Sequence, residues 1–309
     1  MKILITGGAG NVGSSLANSL AAAECGKFEI IVADNLRTGK LSNLDLSLTN
    51  LKFLHCDVNE FTDLSVLMTQ NSFDVVFHYA ALVGVKRTLE NPMSVYRDIE
   101  GLHNILRLSG LTKVRRVYFS SSSEVYGEPI EIPQIEESTP LNAKLPYALV
   151  KSLGESMVKN YAKLYGFDFT IFRFFNTYGP NQSSDFVIKK FMDSAIENKP
   201  IFIFGDGLQT RTFCYVTDNV DFTISTLLNK QALNETINVG NNQEITIVSL
   251  AHMIVKIANS RSRIIHLDPL KEGDMLRRCP DNSKMLELFK RELISLEDGL
   301  LKLLNQPFL

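Results

Sequence analysis

Short apolar runs alternate with longer amphipathic stretches over the first 175 or so residues of the chain. Residues 2–6, 28–33, 51–55, 74–79, 115–121 and 169–174 each hold a short apolar run and read as strands of a buried sheet. Between them, residues 14–23, 60–70, 92–109 and 146–165 repeat apolar positions at helical spacing. Strictly alternating strands and helices predict an α/β fold, a parallel sheet with helices on both faces joined by right-handed crossovers. After Asn176 the periodicity is less regular. A Tyr-Gly-Pro turn, a helix near 184–197, a strand at 236–239, a helix at 246–258 and one or two helices over 284–305 are expected there. No repeat, low-complexity tract or linker separates the halves, so a smaller second domain is expected to be woven into the first, with a site in the cleft between them.

Composition narrows the classes. A chain of 309 residues with 45% hydrophobic and 21% charged content reads as a soluble globular protein with room for two domains. A net charge of −2 without basic runs argues against a nucleic-acid partner. No apolar stretch approaches the ~20 residues of a membrane span, and three aliphatics before a glycine cluster do not make a signal peptide. Cys25, Cys56, Cys214 and Cys279 are scattered without metal-ligand spacing and read as reduced thiols of a cytoplasmic protein.

In parallel sheets ligands bind beyond the carboxyl ends of the strands, so the residues just after each strand carry the chemical interest. After the first strand, Gly7, Gly10 and Gly13 fall at G-x-x-G-x-x-G spacing, and Gly8, Gly10 and Gly13 also satisfy G-x-G-x-x-G. A glycine turn opening a helix lets backbone approach a pyrophosphate, and the helix N-terminus presents free N–H groups to it. Asp34 ends the second strand about 20 residues beyond Gly13, where a carboxylate accepts hydrogen bonds from ribose hydroxyls and repels a 2′-phosphate. NAD is therefore expected over NADP, with Arg37 as the nearby residue suited to a phosphate. Asp57 follows the third strand, either to meet an adenine amino group or to cap the next helix. His78-Tyr79-Ala80-Ala81 follow the fourth, small residues against which a cofactor can lie, with His78 read as packed rather than catalytic. Ser120 to Ser123 and Glu124 follow the fifth. Tyr147 and Lys151 stand at i and i+4 on one helix face behind Pro146. An ammonium beside a phenol is expected to lower its pKa toward that of a usable base.

Taken together, TGGAGNVG, Asp34, HYAA, SSSSEVYGEP, YALVK, RFFNTYGPNQ, IFIFGDGLQTRTFCYVTD and EGDMLRRCPD occur in an order that resembles the extended short-chain dehydrogenase/reductase family of nucleotide-sugar epimerases, dehydratases and decarboxylases. The resemblance spans nearly the whole chain. It implies a Rossmann-type doubly wound sheet over 1–175, rejoined by about 212–240, that binds NAD. Residues 176–211 and 241–309 would form a smaller, interleaved C-terminal domain for the nucleotide sugar. The cofactor set it implies is Gly7, Gly10, Asn11, Val12 and Gly13 at the phosphates and Asp34, Asn35, Asp57 and Val58 at the adenosine. Tyr79, Ala80, Ala81 and Ser120, with Tyr147 and Lys151, would complete that cofactor set. Ser122, Tyr147 and Lys151 match the catalytic positions, and Ser122 and Ser123 also face the sugar. Asn176 and Arg211 match positions that hold the diphosphate, and the stretch beginning Ile201-Phe202 lines the base pocket. Arg277 or Arg278 adds to the diphosphate site or points at the sugar. Glu124 resembles the carboxylate that dehydratases and uronate decarboxylases use beyond C4, or it caps a loop. Arg278 before Pro280-Asp281 also fits the decarboxylases, while the wording of the C-terminal half fits epimerases. The resemblance thus implies oxidation of a UDP-, GDP- or dTDP-linked hexose at C4, with 4-epimerisation as the first outcome. Dehydration, decarboxylation or release of the ketone are alternatives, and a non-catalytic NAD-binding scaffold is the alternative of another class. It also implies a homodimer built on helices 92–109 and 146–165.

Overall fold

A computed structural model describes residues 1–23, 27–269 and 275–305; Cys25 and the Glu-Gly-Asp of the last motif lie outside them. Elements run β1 (Lys2–Thr6), α1 (Asn11–Ala23), β2 (Glu29–Asp34), β3 (Leu51–His55), α2 (Phe61–Gln70), β4 (Val75–His78), α3 (Val85–Glu90), α4 (Pro92–Tyr96), α5 (Asp98–Leu111) and β5 (Arg116–Ser122). Next come α6 (Pro146–Tyr165), β6 (Asp168–Phe174), β7 (Thr177–Tyr178), α7 (Val187–Ile196), β8 (Ile201–Phe204), β9 (Thr210–Thr212), β10 (Cys214–Tyr215) and α8 (Val216–Leu228). The last are β11 (Glu235–Val239), β12 (Glu244–Thr246), α9 (Ile247–Ile257), β13 (Ile264–Leu267), α10 (Ser283–Phe289) and α11 (Leu296–Asn305).

The main sheet is seven-stranded and parallel in the order β11-β6-β5-β4-β1-β2-β3. Each strand feeds both faces, as period-2 geometry requires. Ile3, Ile5, Phe77, Tyr118 and Phe172 pack on one side against α1, α8 and Met285 of α10. Leu4, Val76, Phe119 and Ile171 pack on the other against α2, α5 and α6. The strand order reverses between β1 and β4, which opens a crevice at their carboxyl ends. A separate core, with Ile188, Phe191, Ile203, Leu250 and Leu303, lies under α7, α9 and α11. It carries three two-stranded sheets, β7–β10 and β8–β13 parallel and β9–β12 antiparallel.

The expected strands of the first half form within a residue or so of their predicted bounds. The helix expected over 92–109 is interrupted at Arg97, which keeps helical angles between α4 and α5. The C-terminal stretch resolves into α10 and α11. Among the described residues no helix is long and apolar enough to cross a membrane.

Candidate active site

A cleft of about 630 Å³ runs along the carboxyl ends of the main sheet and is walled on the far side by residues after β6 and on α7. The glycine loop forms its floor. Gly7 takes a left-handed backbone (φ 67°), and its amide donates to the Ala33 carbonyl at 2.9 Å, which ties the turn to β2. A Cβ on Gly7 would meet the Ala80 nitrogen at 2.5 Å, and one on Gly13 the Gly7 carbonyl at 2.4 Å, so the fold itself demands both glycines. A Cβ on Gly10 would come no nearer than 3.3 Å to any protein atom. Its bareness faces the open cleft, where backbone meets ligand. That cradle, opening on the N-terminus of α1, fits a dinucleotide pyrophosphate.

Asp34 is buried at the end of β2. Its Oδ2 accepts the Ala9 amide (3.0 Å) and its Oδ1 the Leu36 amide (2.8 Å), so the carboxylate is oriented before any ligand arrives. Remaining lone pairs stay available for ribose hydroxyls. Asn35 donates to Asp57 Oδ2 at 3.1 Å, while Asp57 Oδ1 accepts the Asn59 amide at 3.0 Å. Asp57 therefore organises the loop after β3 while lining the cleft beside Val58. Tyr79, Ala80 and Ala81 line the cleft too. His78 does not. It is buried against Phe119 with its Nδ1 2.9 Å from the Thr6 hydroxyl, and burial, helped by the Lys151 charge, pulls it down to about 3. It is a neutral packing residue.

Ser122, Tyr147 and Lys151 converge where β5 meets α6. Pro146 occupies the first turn of α6, and Gly166 closes the helix in a left-handed conformation. Lys151 Nζ donates to the Ser120 carbonyl at 2.6 Å and lies over the Phe119 ring, 4.9 Å from its centroid, and 5.7 Å from that of Tyr147. Burial lowers its pKa to about 8 against the opposing pull of Asp98 and Glu155. Ser122 Oγ accepts the Glu124 amide at 3.2 Å and is hydrogen-bonded to the Tyr147 phenol. The phenol departs from expectation. Burial raises it well above its ordinary value, the Ser122 bond opposes this, the carboxylates of Glu124 and Asp98 raise it further, and Arg278 lowers it.

Behind this wall lies a buried polar chain that sequence patterns do not reveal. Glu155, one turn beyond Lys151, takes both prongs of Arg173 (2.9 and 2.7 Å) and the Ser121 hydroxyl (2.6 Å). Arg173 also donates to the Tyr126 hydroxyl at 2.8 Å. The chain joins β5, α6 and β6 directly under the three converging side chains.

The sugar-side residues scatter more. Ser123, Glu124, Asn176 and Arg278 line the cleft, and Arg278 is paired with Glu124 at 2.9 Å. Asn176 has a left-handed backbone, and its side chain donates to the Thr212 carbonyl at 2.9 Å. Arg211 and Arg277 do not line it. Arg211 donates to the neighbouring Thr210 carbonyl at 2.7 Å, and Arg277 is engaged with both oxygens of Glu244 at the surface. Ile201 corrects its expected place in a base pocket. Strand alternation turns it fully into the small-domain core, and the exposed members of that strand are Phe202 and Phe204. Sequence reading missed Asp98 and Arg87 on the cleft wall, and Asp185, the partner of Arg87. Arg87 and Asp185 pair across the rim at 2.5 Å. No local pattern marks such long-range partners, and an aspartate in a helix's first turn reads simply as a dipole complement.

A glycine cradle, an oriented carboxylate and a Ser-Tyr-Lys cluster at a switch point define a dinucleotide-dependent enzyme of the short-chain type. The sequence model of the NAD dependent epimerase/dehydratase family matches residues 3–240, and the chain belongs to that family. A putative UDP-glucose 4-epimerase of Methanocaldococcus jannaschii is 34% identical over 98% of this chain and 97% of its own. A UDP-N-acetyl-alpha-D-glucosaminuronate decarboxylase of Bacillus cytotoxicus is 33% identical over 97% and 95%. The crystal structure of UDP-glucose 4-epimerase with UDP-glucose from Thermotoga maritima superposes with a TM-score of 0.90 at 28% identity, covering 99% of both chains.

Proposed function

We propose that the protein is an NAD-dependent enzyme that oxidises a nucleotide-linked hexose at C4 and, after the keto sugar turns over, reduces it on the opposite face, a 4-epimerase. The observation that supports it most is the convergence of Ser122, Tyr147 and Lys151 in the one cleft that also holds the glycine cradle and Asp34. NAD, when bound, takes up and returns the hydride. In its ionised form Tyr147 Oη receives the proton of the C4 hydroxyl as the C4–H bond breaks and gives it back on reduction, while Ser122 relays or shares that hydrogen bond. Lys151, anchored on Ser120 and lying 5.7 Å from the centre of the Tyr147 ring, adds a positive charge that favours the phenolate. The preorganised Asp34 carboxylate favours NAD over NADP.

In this reading residues 1–175 and about 212–240 hold NAD, and 176–211 and 241–309 hold the nucleotide sugar. Asn176 and Arg211 take the diphosphate, with Arg211 swinging from its resting contact, and Phe202 takes the base. Exposed Met93, Tyr96, Leu149 and Leu153 on α4 and α6 supply the apolar face of a homodimer.

A second reading rests on Glu124. Its carboxylate and the buried Arg278 guanidinium face the same cleft, an arrangement suited to chemistry beyond C4 such as decarboxylation of a uronate or dehydration. In the epimerase reading the same ion pair is a structural wall. Glu124→Gln keeps the shape and removes the ionisable group. Turnover within a few-fold of wild type supports epimerisation. A variant that forms NADH and the 4-keto sugar but stalls there assigns Glu124 to a later step and overturns the epimerase choice.

A further inference from the structure

The segment between β7 and α7 reaches over the cleft and is tied to both of its edges. Residues 180–184 line the cleft. At one end Asn181 Nδ2 donates to the Ser14 hydroxyl of α1 at 3.0 Å. At the other end Asp185 Oδ2 accepts from the Arg87 guanidinium of α3 at 2.5 Å, and it lies 3.6 Å from where a Cβ on Gly84 would stand. Helix α1 follows β1 and α3 follows β4, the two strands between which the sheet order reverses. The two anchors therefore stand on opposite sides of the crevice. Both fastenings are organised locally. The Gln182 amide donates to the Gly179 carbonyl (3.2 Å) and its side chain to the Thr177 carbonyl (2.8 Å), which shapes the turn beside Asn181. The Ser183 hydroxyl donates to Asp185 Oδ2 at 3.3 Å, and Arg87 also donates to the Val83 carbonyl at 3.2 Å, so carboxylate and guanidinium are each held toward the other.

We propose that residues 181–185 form a strap that retains the dinucleotide, with the Arg87–Asp185 pair as its ionic latch. The cradle of Gly7, Gly10 and the α1 N-terminus lines the same cleft, so a cofactor held there leaves only when the strap lifts. The two fastenings differ in kind. Asn181 bonds to a serine that is wholly buried, whereas the latch is a charge pair whose two side chains are each 30% exposed. Water and salt reach the latch first, and lifting begins at that end. Retention suits the chemistry proposed above, because a cofactor that takes a hydride and returns it to the same sugar has no need to leave between turnovers. This role for the strap rests on the reading that the cleft binds NAD.

Arg87→Gln and Asp185→Asn nearly keep the size of each side chain and remove one charge apiece. Protein preloaded with isotope-labelled NAD and chased with unlabelled NAD reports the rate of release. Each variant should release the label about fivefold faster than wild type, the ratio for loss of one ion pair of this exposure. The double variant should be no faster than either single one, since all three lose the same contact. Raising salt from about 0.05 M to about 0.5 M should speed release from wild type more than from the variants, which have no latch left to screen. Release at the wild-type rate from both variants, effects that multiply in the double variant, or an equal salt response in wild type and variants overturns the latch. Amide hydrogen exchange of residues 181–186 in the ligand-free protein keeps this test separate from the functional reading. Exchange there should be faster in Arg87→Gln than in wild type, and unchanged exchange overturns the latch whether or not NAD binds. A wild type that takes up no NAD would sink the functional reading and the retaining role together, while the amide exchange still decides whether Arg87 and Asp185 fasten the strap.

Discussion

The two walls of the cleft are built on different terms. On the cofactor side the principal charged groups are held by the fold before a ligand enters. Asp34 is held by two backbone amides, Lys151 by a strand-end carbonyl, and Gly7 and Gly13 by contacts that no Cβ survives. Beneath them the Glu155–Arg173 pair is almost wholly buried. On the sugar side the charged groups vary, from the buried Arg278 paired with Glu124 to Arg277 at the surface. Arg277 sits on Glu244 at the surface, Arg211 on its neighbour's carbonyl, and Phe202 faces outward. The difference sets a firmly held wall against one with more exposed groups. In the proposed reading, C4 oxidation draws on the fixed wall, and recognition of nucleotide and sugar draws on the other.

The sharpest way to break this comparison is Tyr147→Phe. It keeps the ring and deletes the proton acceptor, so NADH formation in a single turnover should fall by roughly 10²–10⁴-fold whatever the final product. A loss under tenfold would move the base elsewhere. Next in size is Glu155→Gln, which leaves Arg173 buried without its partner charge and should cost about 3–5 kcal/mol in denaturant unfolding. A loss below 1 kcal/mol would mean that the cofactor wall is not set by that pair.

These two residues also show what sequence reveals and what it hides. β1 to β6 and α6 are legible because their apolar runs are continuous or cleanly periodic, and Tyr147 announces itself through Lys151 on the same helix face. Glu155 and Arg173 lie 18 positions apart on different elements and show no pattern until the helix packs on the sheet. The helix α8 escaped notice for a related reason. It buries Asp218, Asn219, Thr223 and Thr226 along with its apolar residues, so polar positions interrupt its inward face. The small strands β7, β9, β10 and β12 span two or three residues each, too short for any period. Ile201 was misplaced because a four-residue apolar run does not say which alternate set faces inward until β13 pairs beside it.

On the sugar wall the effects should be smaller and should fall on substrate rather than cofactor. Arg211→Ala should weaken nucleotide-sugar binding by about 1.5–3 kcal/mol, the range for hydrogen bonds to charged groups, with NAD binding unchanged in the same calorimetric titration. Equal sugar affinity would make Arg211 a structural residue of β9. Smallest of all, Arg277→Ala breaks only an exposed pair and should shift unfolding by less than about 1 kcal/mol. A loss of substrate affinity as large as that of Arg211→Ala would show instead that Arg277 leaves Glu244 to hold the diphosphate.

The most direct test of the central claim is a single turnover of NAD-loaded protein with nucleotide sugars carrying deuterium at C4, followed by cofactor absorbance and mass spectrometry. The account predicts that one of the UDP-, GDP- or dTDP-hexoses gives a transient NADH band and then a C4 epimer of unchanged mass that retains the deuterium. A nucleotide sugar that binds in the cleft and is converted with no NADH band and no isotope effect at C4 would contradict it.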